Sequence, residues 1–144
     1  MARKNQTPRS ICPISCALEI IGDKWTLLIL RDIIYKRKQG FREFLASSES
    51  IASNILSDRL KRLEACNIVL RRRDPDNKRR IVYSLTEKGL DLIPVTLELL
   101  RWGAKHETEN RNHDELIHRF EADPGRVIAE MRSSLHQEGL SDTA

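Results

Sequence analysis

The stretch Ser57-Asp58-Arg59-Leu60-Lys61-Arg62-Leu63-Glu64 is followed by Arg71-Arg72-Arg73-Asp74-Pro75-Asp76-Asn77-Lys78-Arg79-Arg80 and then Tyr83-Ser84-Leu85-Thr86. Its first part spaces leucines for one face of a helix. Its later parts alternate around a Pro/Asn turn, which reads as a basic β hairpin. A helix slender enough for a major groove, joined to a cationic ribbon, is how small proteins grip duplex DNA.

Working outward, charge supports the same partner. Residues 1 to 80 carry 18 Lys and Arg against 9 Asp and Glu, whereas residues 81 to 144 carry 7 against 12. The net charge of +4 thus hides a positive half suited to a polyanion. Basic residues scattered for solubility would not divide in this way. At 144 residues the chain fits one domain, or one with an appendage, and can bury a core without disulfides or metal. The longest apolar run, Leu27-Leu28-Ile29-Leu30, falls far short of the roughly 20 residues a membrane span needs. The start, Met1 to Gln6, has charge without an apolar core, so no secretory leader is expected and the cytoplasm follows by default. Cys12, Cys16 and Cys66 are an odd set, expected to be reduced thiols and not a disulfide framework.

Punctuation and periodicity place the elements. Cys12-Pro13 suits an N-cap and first helical position, with Gly22 ending a helix from Pro13 to Ile21. Asp23 caps a second helix, about Lys24 to Tyr35, with apolar Trp25, Leu28, Ile29 and Ile33. A short third helix, about Phe41 to Ala46, a polar turn at Ser47 to Ser50, and a fourth helix, about Ala52 to Cys66, make a helix-turn-helix. Asn67 is expected as its C-cap. Strands at 68–73 and 80–85 flank the turn Asp74-Pro75-Asp76-Asn77. Thr86 caps a long helix kinked at Pro94 and fading near His106, its stripe being Leu90, Ile93, Leu97 and Leu100. Further helices are expected over Asn110–Phe120 and Pro124–Leu135, with fraying from Ser141. The fold class is mainly α with a small β hairpin: a winged helix-turn-helix over 12–106, preceded by a flexible arm over 1–11 and followed by a helical extension over 107–144 for dimerisation.

On a wheel of 100° per residue, Ala52, Leu56, Leu60 and Leu63 share an inward arc. Asn54, Ser57, Asp58 and Lys61 then point outward, with Ser53 beside them. Short polar side chains let a helix approach base edges, and Asn54 has the groups to pair bidentately with adenine. Asp58 can accept from cytosine or, by repelling phosphate, exclude wrong registers. Lys61 and Arg62 reach guanine or phosphate. Arg59 is counted with this set, although at the edge of the buried arc pairing with an acid is an equal account. No core can hold Arg71, Arg72, Arg73, Lys78, Arg79 and Arg80 together. Lys78 and Arg79 at the hairpin tip are expected in the adjacent minor groove, and Lys24 and Arg42 at helix starts on phosphates.

Two such helices on a two-fold axis require a homodimer. Its apolar supply is Ile14, Leu18 and Ile21, with Leu97, Leu100 and Trp102, and further candidates in Leu116, Ile117, Phe120, Val127, Ile128, Met131 and Leu135. All of these serve equally as intramolecular core. His106, His113, His118 and His136 lack ligand spacing, and no Gly-rich phosphate loop, nucleophile elbow or carboxylate pair stands out. No metal, cofactor or catalysis is expected.

These residues, in order, resemble the HxlR-type winged helix-turn-helix regulators, relatives of the MarR group. The resemblance runs from Cys12-Pro13 through Gly22-Asp23-Lys24-Trp25-Thr26-Leu27-Leu28-Ile29-Leu30, Phe41-Arg42-Glu43-Phe44, Leu56-Ser57-Asp58-Arg59-Leu60, Leu63-Glu64 and Tyr83-Ser84-Leu85-Thr86-Glu87-Lys88-Gly89 to Trp102-Gly103. It implies a homodimer that binds double-stranded operator DNA and controls transcription without catalysing a reaction. The tail beyond about Glu109 is longer than the family core, and the hairpin, with Asp76 before Lys78-Arg79-Arg80, is closer to a MarR wing.

Cys12, at a helix N-terminus three residues after Arg9, sits where dipole and cation favour a thiolate. It also matches the place at which some members of the family sense oxidants or electrophiles; capping or packing is the plainer role. Cys16, one turn on, would be a resolving thiol or core, and Cys66 structural. Two other classes remain. One is a thiol-redox protein using Cys12 and Cys16, which lacks the Cys-x-x-Cys spacing. The other is a winged protein-interaction module, which would not need the basic wing.

Overall fold

The computed structural model describes residues 9–141. Residues 1–8 of the expected arm and 142–144 of the expected frayed end lie outside the described residues. The chain divides into two compact units, one ending at Thr86 and the other beginning at Glu87. This division falls earlier in the chain than residue 106, the expected end of the winged domain.

In the first unit, α1 (Pro13–Ile21) begins with proline inside its first turn, where the missing N–H costs nothing. Gly22 ends it by donating its N–H to the Leu18 carbonyl. Asp23 then caps α2 (Lys24–Ile34), accepting from the Thr26 backbone N–H at 3.1 Å and from its hydroxyl at 2.6 Å. The buried face of α2 is Thr26, Ile29, Leu30, Asp32, Ile33 and Ile34; Trp25 and Leu28 are only half-buried.

Helix α3 (Phe41–Leu45) seats Phe44 in the core, edge-on to Tyr83. Helix α4 (Ser53–Ala65) packs on α2, α3 and the first strand through Leu56, Leu60 and Leu63. Truncating any one of these leucines to alanine costs about 2–5 kcal/mol in a close-packed core. Ala52 departs from the expected inward arc: it is the N-cap, extended and exposed, because the helical periodicity starts one residue later. The C-cap is Cys66, not Asn67. Asn67 follows at φ 58°, donating to the Glu64 carbonyl while Ile68 donates to Leu63. This is the Schellman closure, for which asparagine tolerates the left-handed backbone.

Strands β1 (Val69–Arg73) and β2 (Ile81–Leu85) pair antiparallel, with Val69 opposite Leu85 and Arg73 opposite Ile81. Gly40 adds a bridge to Val82, and the Tyr83 N–H donates to the Gln39 carbonyl, so the hairpin is stitched to the start of α3.

In the second unit the expected kinked helix is two helices, α5 (Glu87–Leu90) and α6 (Ile93–His106). Pro94 lies in the first turn of α6, since a ring that clashes with a preceding helical turn is tolerated only where none precedes it. Helix α7 (Asp114–Ala122) starts later than predicted. Asn110 accepts from the Asn112 N–H, and Thr108 from the Asn110 N–H, side-chain bonds that compete with helix. Helix α8 (Pro124–Ser141) runs past the predicted end, with Val127 and Leu135 buried. Arg132 ties it to Glu87 and Asp91.

Candidate nucleic-acid interface

The outward side of α4 is made of small polar groups. Ser53, Asn54, Asp58 and Lys61 are exposed, and Ser57 and Arg62 half-exposed. Lys61 makes no ion pair with any other described residue. Arg59 settles toward the structural account: its Nε lies 3.0 Å from Asp23 Oδ1 and its Nη1 2.6 Å from Asp58 Oδ2. It ties the start of α2 to α4. Arg62 is 3.9 Å from the other Asp23 oxygen. Burial opposes the Asp23 charge, but hydrogen bonds from Thr26 and Arg59 outweigh it and hold the carboxyl below its ordinary pKa.

The wing divides its cations. Arg71, Lys78 and Arg79 are exposed, and their side chains pair with no described acid. Arg72 bonds across the hairpin to Ser84 at 3.4 Å, and Arg73 to the Lys78 carbonyl at 3.4 Å. Arg80, expected on DNA, is instead clamped between Asp74 at 3.1 Å and Glu43 on α3. The Asp76 backbone N–H, and then Arg80, keep the Asp74 carboxyl below its usual range. The tip is ordered further by the Asp74 N–H donating to the Arg80 carbonyl, and by Asn77 Oδ1 accepting from the Arg79 N–H at 3.2 Å.

Of the two expected phosphate clamps, Arg42 is exposed and without a described partner, while the Lys24 ammonium lies 4.9 Å over the Trp25 ring. For the expected dimer surface, Ile14 is 71% and Leu18 58% exposed on α1, and Trp102 57% on α6. Ile21 and Leu100 are half-buried. Leu97 is fully buried in its own chain and is not offered to a partner; Val95 and Leu99 are the exposed apolar neighbours of Trp102 on α6. Cys12 is exposed at the head of α1, and the half-buried Cys16 thiol donates to the Ser10 carbonyl at 3.3 Å.

A charged cluster beneath the helix-turn-helix escaped the sequence reading. Arg31 bonds Asp32 at 2.7 Å and Glu49 at 2.8 Å; Lys38 bonds Ser47 at 2.7 Å, and the Ser47 hydroxyl donates to Asp32. The Arg31 hydrogen bond pulls the Glu49 carboxyl down to about 2. The available signal was Asp32, a charge lying within the apolar stripe of α2. Among the described residues no three His, Cys, Asp or Glu converge to hold a metal, and no helix is long and apolar enough to cross a membrane.

A tri-helical core, a polar helix presented after a turn, and a stitched two-strand hairpin define a winged helix-turn-helix protein. Residues 20–111 match the profile of the HxlR-like helix-turn-helix family. An uncharacterised HTH-type transcriptional regulator of Halalkalibacterium halodurans is 34% identical over 95 residues, 66% of this chain and 84% of that one. The redox regulator HypR, in its oxidised form, superposes with TM-score 0.60 at 33% identity, over 67% of this chain and 99% of HypR. Reduced YodB of Bacillus subtilis gives 0.55 at 29%, over 70% and 99%. Its quinone-bound form gives 0.54 at 30%, over 66% and 99%. The chain belongs to the HxlR-like helix-turn-helix family of transcriptional regulators.

Proposed function

We propose that this regulator is a homodimer that reads operator DNA, with α4 in the major groove and the β1–β2 wing in the adjacent minor groove. One observation carries the reading: the side of α4 left free by packing holds short polar groups, and in the same unit Arg42, Lys61, Arg71, Lys78 and Arg79 pair with no acid among the described residues. Phosphates would pair with these cations around one helix and hairpin and release the counterions condensed on the duplex, a gain that offsets the desolvation of each pair. Asn54 and Asp58 carry the base-edge chemistry. The exposed apolar positions Ile14 and Leu18 on α1, and Val95, Leu99 and Trp102 on α6, supply surface for a second copy.

Selection from a pool of randomised duplexes tests this. The expected product is a two-fold motif whose half-sites lie roughly 34 to 36 Å apart. Absence of enrichment, together with no binding to random duplex at low salt, overturns the reading and leaves the thiol-redox or interaction-module class. Replacing Ile14 and Leu18 by glutamate is expected to give a monomer by light scattering with operator binding lost; an intact dimer removes α1 from the interface.

Control by a small oxidant or electrophile acting on Cys12 is part of the proposal. It is supported by the exposure of Cys12 at the head of α1, and by relatives whose structures are described as oxidised and quinone-bound. Alkylation is expected to release DNA from the parent and not from Cys12→Ser. An equal response in both sinks the sensor.

A further inference from the structure

We propose that Asp23 and Arg59, neither of them touching DNA, fix the base preference of α4 by holding the Asp58 carboxylate in one orientation toward a cytosine. This rests on the DNA-binding reading and goes beyond it, naming the base that is read and the two positioning residues that aim the group reading it. Asp58 accepts from the cytosine 4-amino group, because cytosine alone shows the major groove a donor with no acceptor of its own beside it. Adenine adds N7, and guanine and thymine offer no donor there.

Three side chains in a row connect the start of α2 to the outer side of α4. Asp23 is pinned as the N-cap of α2 by the Thr26 backbone N–H at 3.1 Å and the Thr26 hydroxyl at 2.6 Å. Arg59 Nε donates to Asp23 Oδ1 at 3.0 Å, and Arg59 Nη1 donates to Asp58 Oδ2 at 2.6 Å. One planar guanidinium thus bridges a fixed carboxylate and an outward one, and passes the position of the first to the second. The Arg59 side chain is 23% exposed and that of Asp58 57%, so a partly shielded anchor holds a group that faces solvent. Asp58 Oδ1 has no partner among the described residues and is the oxygen left to accept from a base. An aspartate free to rotate would lose that freedom on binding, and orienting it beforehand removes this cost. An unpaired carboxylate on α4 would also repel the phosphates beside the groove; Arg59 offsets that charge, while Asp23 keeps the guanidinium from leaving for a phosphate. A tie between α2 and α4 needs only the Asp23 bond. The shorter bond, to an exposed neighbour on the same helix, adds little stability, and the positioning role accounts for it.

The test is selection from randomised duplexes with the full chain, run in parallel on the parent, Asp58→Ala, Arg59→Ala and Asp23→Asn. The parent is expected to prefer C·G about tenfold at one position of each half-site, and Asp58→Ala to lose that preference while keeping the others. Arg59→Ala is expected to cut the preference at this same position to about threefold or less, with the other positions and the salt slope unchanged. The double variant is expected to match Asp58→Ala alone, since members of one chain of bonds are not additive. Asp23→Asn keeps a cap acceptor for Thr26 but not the charge that holds Arg59, and is expected to weaken the same position by a smaller factor; an unchanged position removes Asp23 from the proposal. A merely structural Arg59 would lower the melting temperature of Arg59→Ala and leave its base preferences as in the parent, which overturns the positioning role. Equal weakening on all sequences, with a log-log slope shallower by about 0.9, assigns Arg59 to a phosphate and overturns it too. Should Arg59→Ala not fold, Arg59→Lys keeps the cation without the planar fork and is expected to lose the same preference. A parent motif with no position that Asp58→Ala relaxes overturns the proposal with DNA binding intact, whereas no motif and no binding at low salt overturn the DNA-binding reading itself.

Discussion

Arg31, Lys38, Arg59 and Arg80 belong to the same unit as Arg42, Lys61, Arg71, Lys78 and Arg79, and are of the same residue types, yet the two groups are used in opposite ways. The first group is locked on carboxylates around α2 and α4 and, for Arg80, beside the turn of the wing. The second has no described acid within reach. Paired cations set where the helix and hairpin stand; unpaired ones are available to a partner. Composition alone counts both groups as one basic patch.

The contrast is broken most severely at Asp32, which is 3% exposed and holds Arg31, Lys38 and Ser47. Asp32→Ala leaves the buried Ser47 hydroxyl without its acceptor and removes one partner from the half-buried Arg31 and Lys38, and is expected to cost about 1–3 kcal/mol in urea unfolding. A loss well under 1 kcal/mol would mean that the cluster does not hold the helix-turn-helix. Next, replacing Lys78 and Arg79 by glutamate is expected to lower duplex affinity about a hundredfold at low salt with an unchanged melting temperature, since neither side chain supports the fold. Unchanged affinity removes the wing from the interface.

Arg59→Ala should show the reverse pattern. Stability falls by about 1 kcal/mol through loss of the tie to Asp23, while the salt slope of DNA binding stays as in the parent. A slope shallower by one phosphate would return Arg59 to the DNA-facing set. The smallest effect concerns pH. The Glu49 carboxyl is lowered to about 2 from 4.5, so its contribution is complete above about pH 4.5 and is lost as pH falls toward 2. Glu49 is solvent-exposed, so screening limits this to about 0.5 kcal/mol. Glu49→Gln should flatten the acid limb of stability by that amount, and an identical limb in both proteins contradicts the pairing.

Features governed by near neighbours in sequence were legible. The Asp23 cap needs only Thr26, three residues on, and the Leu56, Leu60, Leu63 face needs only helical period. The status of individual arginines was not, because their acids are far away along the chain: Arg59 meets Asp23 across 36 positions, and Arg80 meets Glu43 across 37. Pro94 was read as a kink because local rules allow both a kink and a first turn, and only the break at Asp91–Leu92 decides between them. Leu97 fits a stripe that serves equally inside or outside a subunit, and burial assigns it to the inside.

Hydroxyl-radical footprinting of the full chain on the DNA flanking its own gene tests the central claim most directly. The account predicts two protected half-sites roughly one helical turn apart, each with the backbone ridge beside a major-groove contact shielded together with the adjoining minor groove. A single unpaired patch, or protection that spares the minor groove, would contradict it.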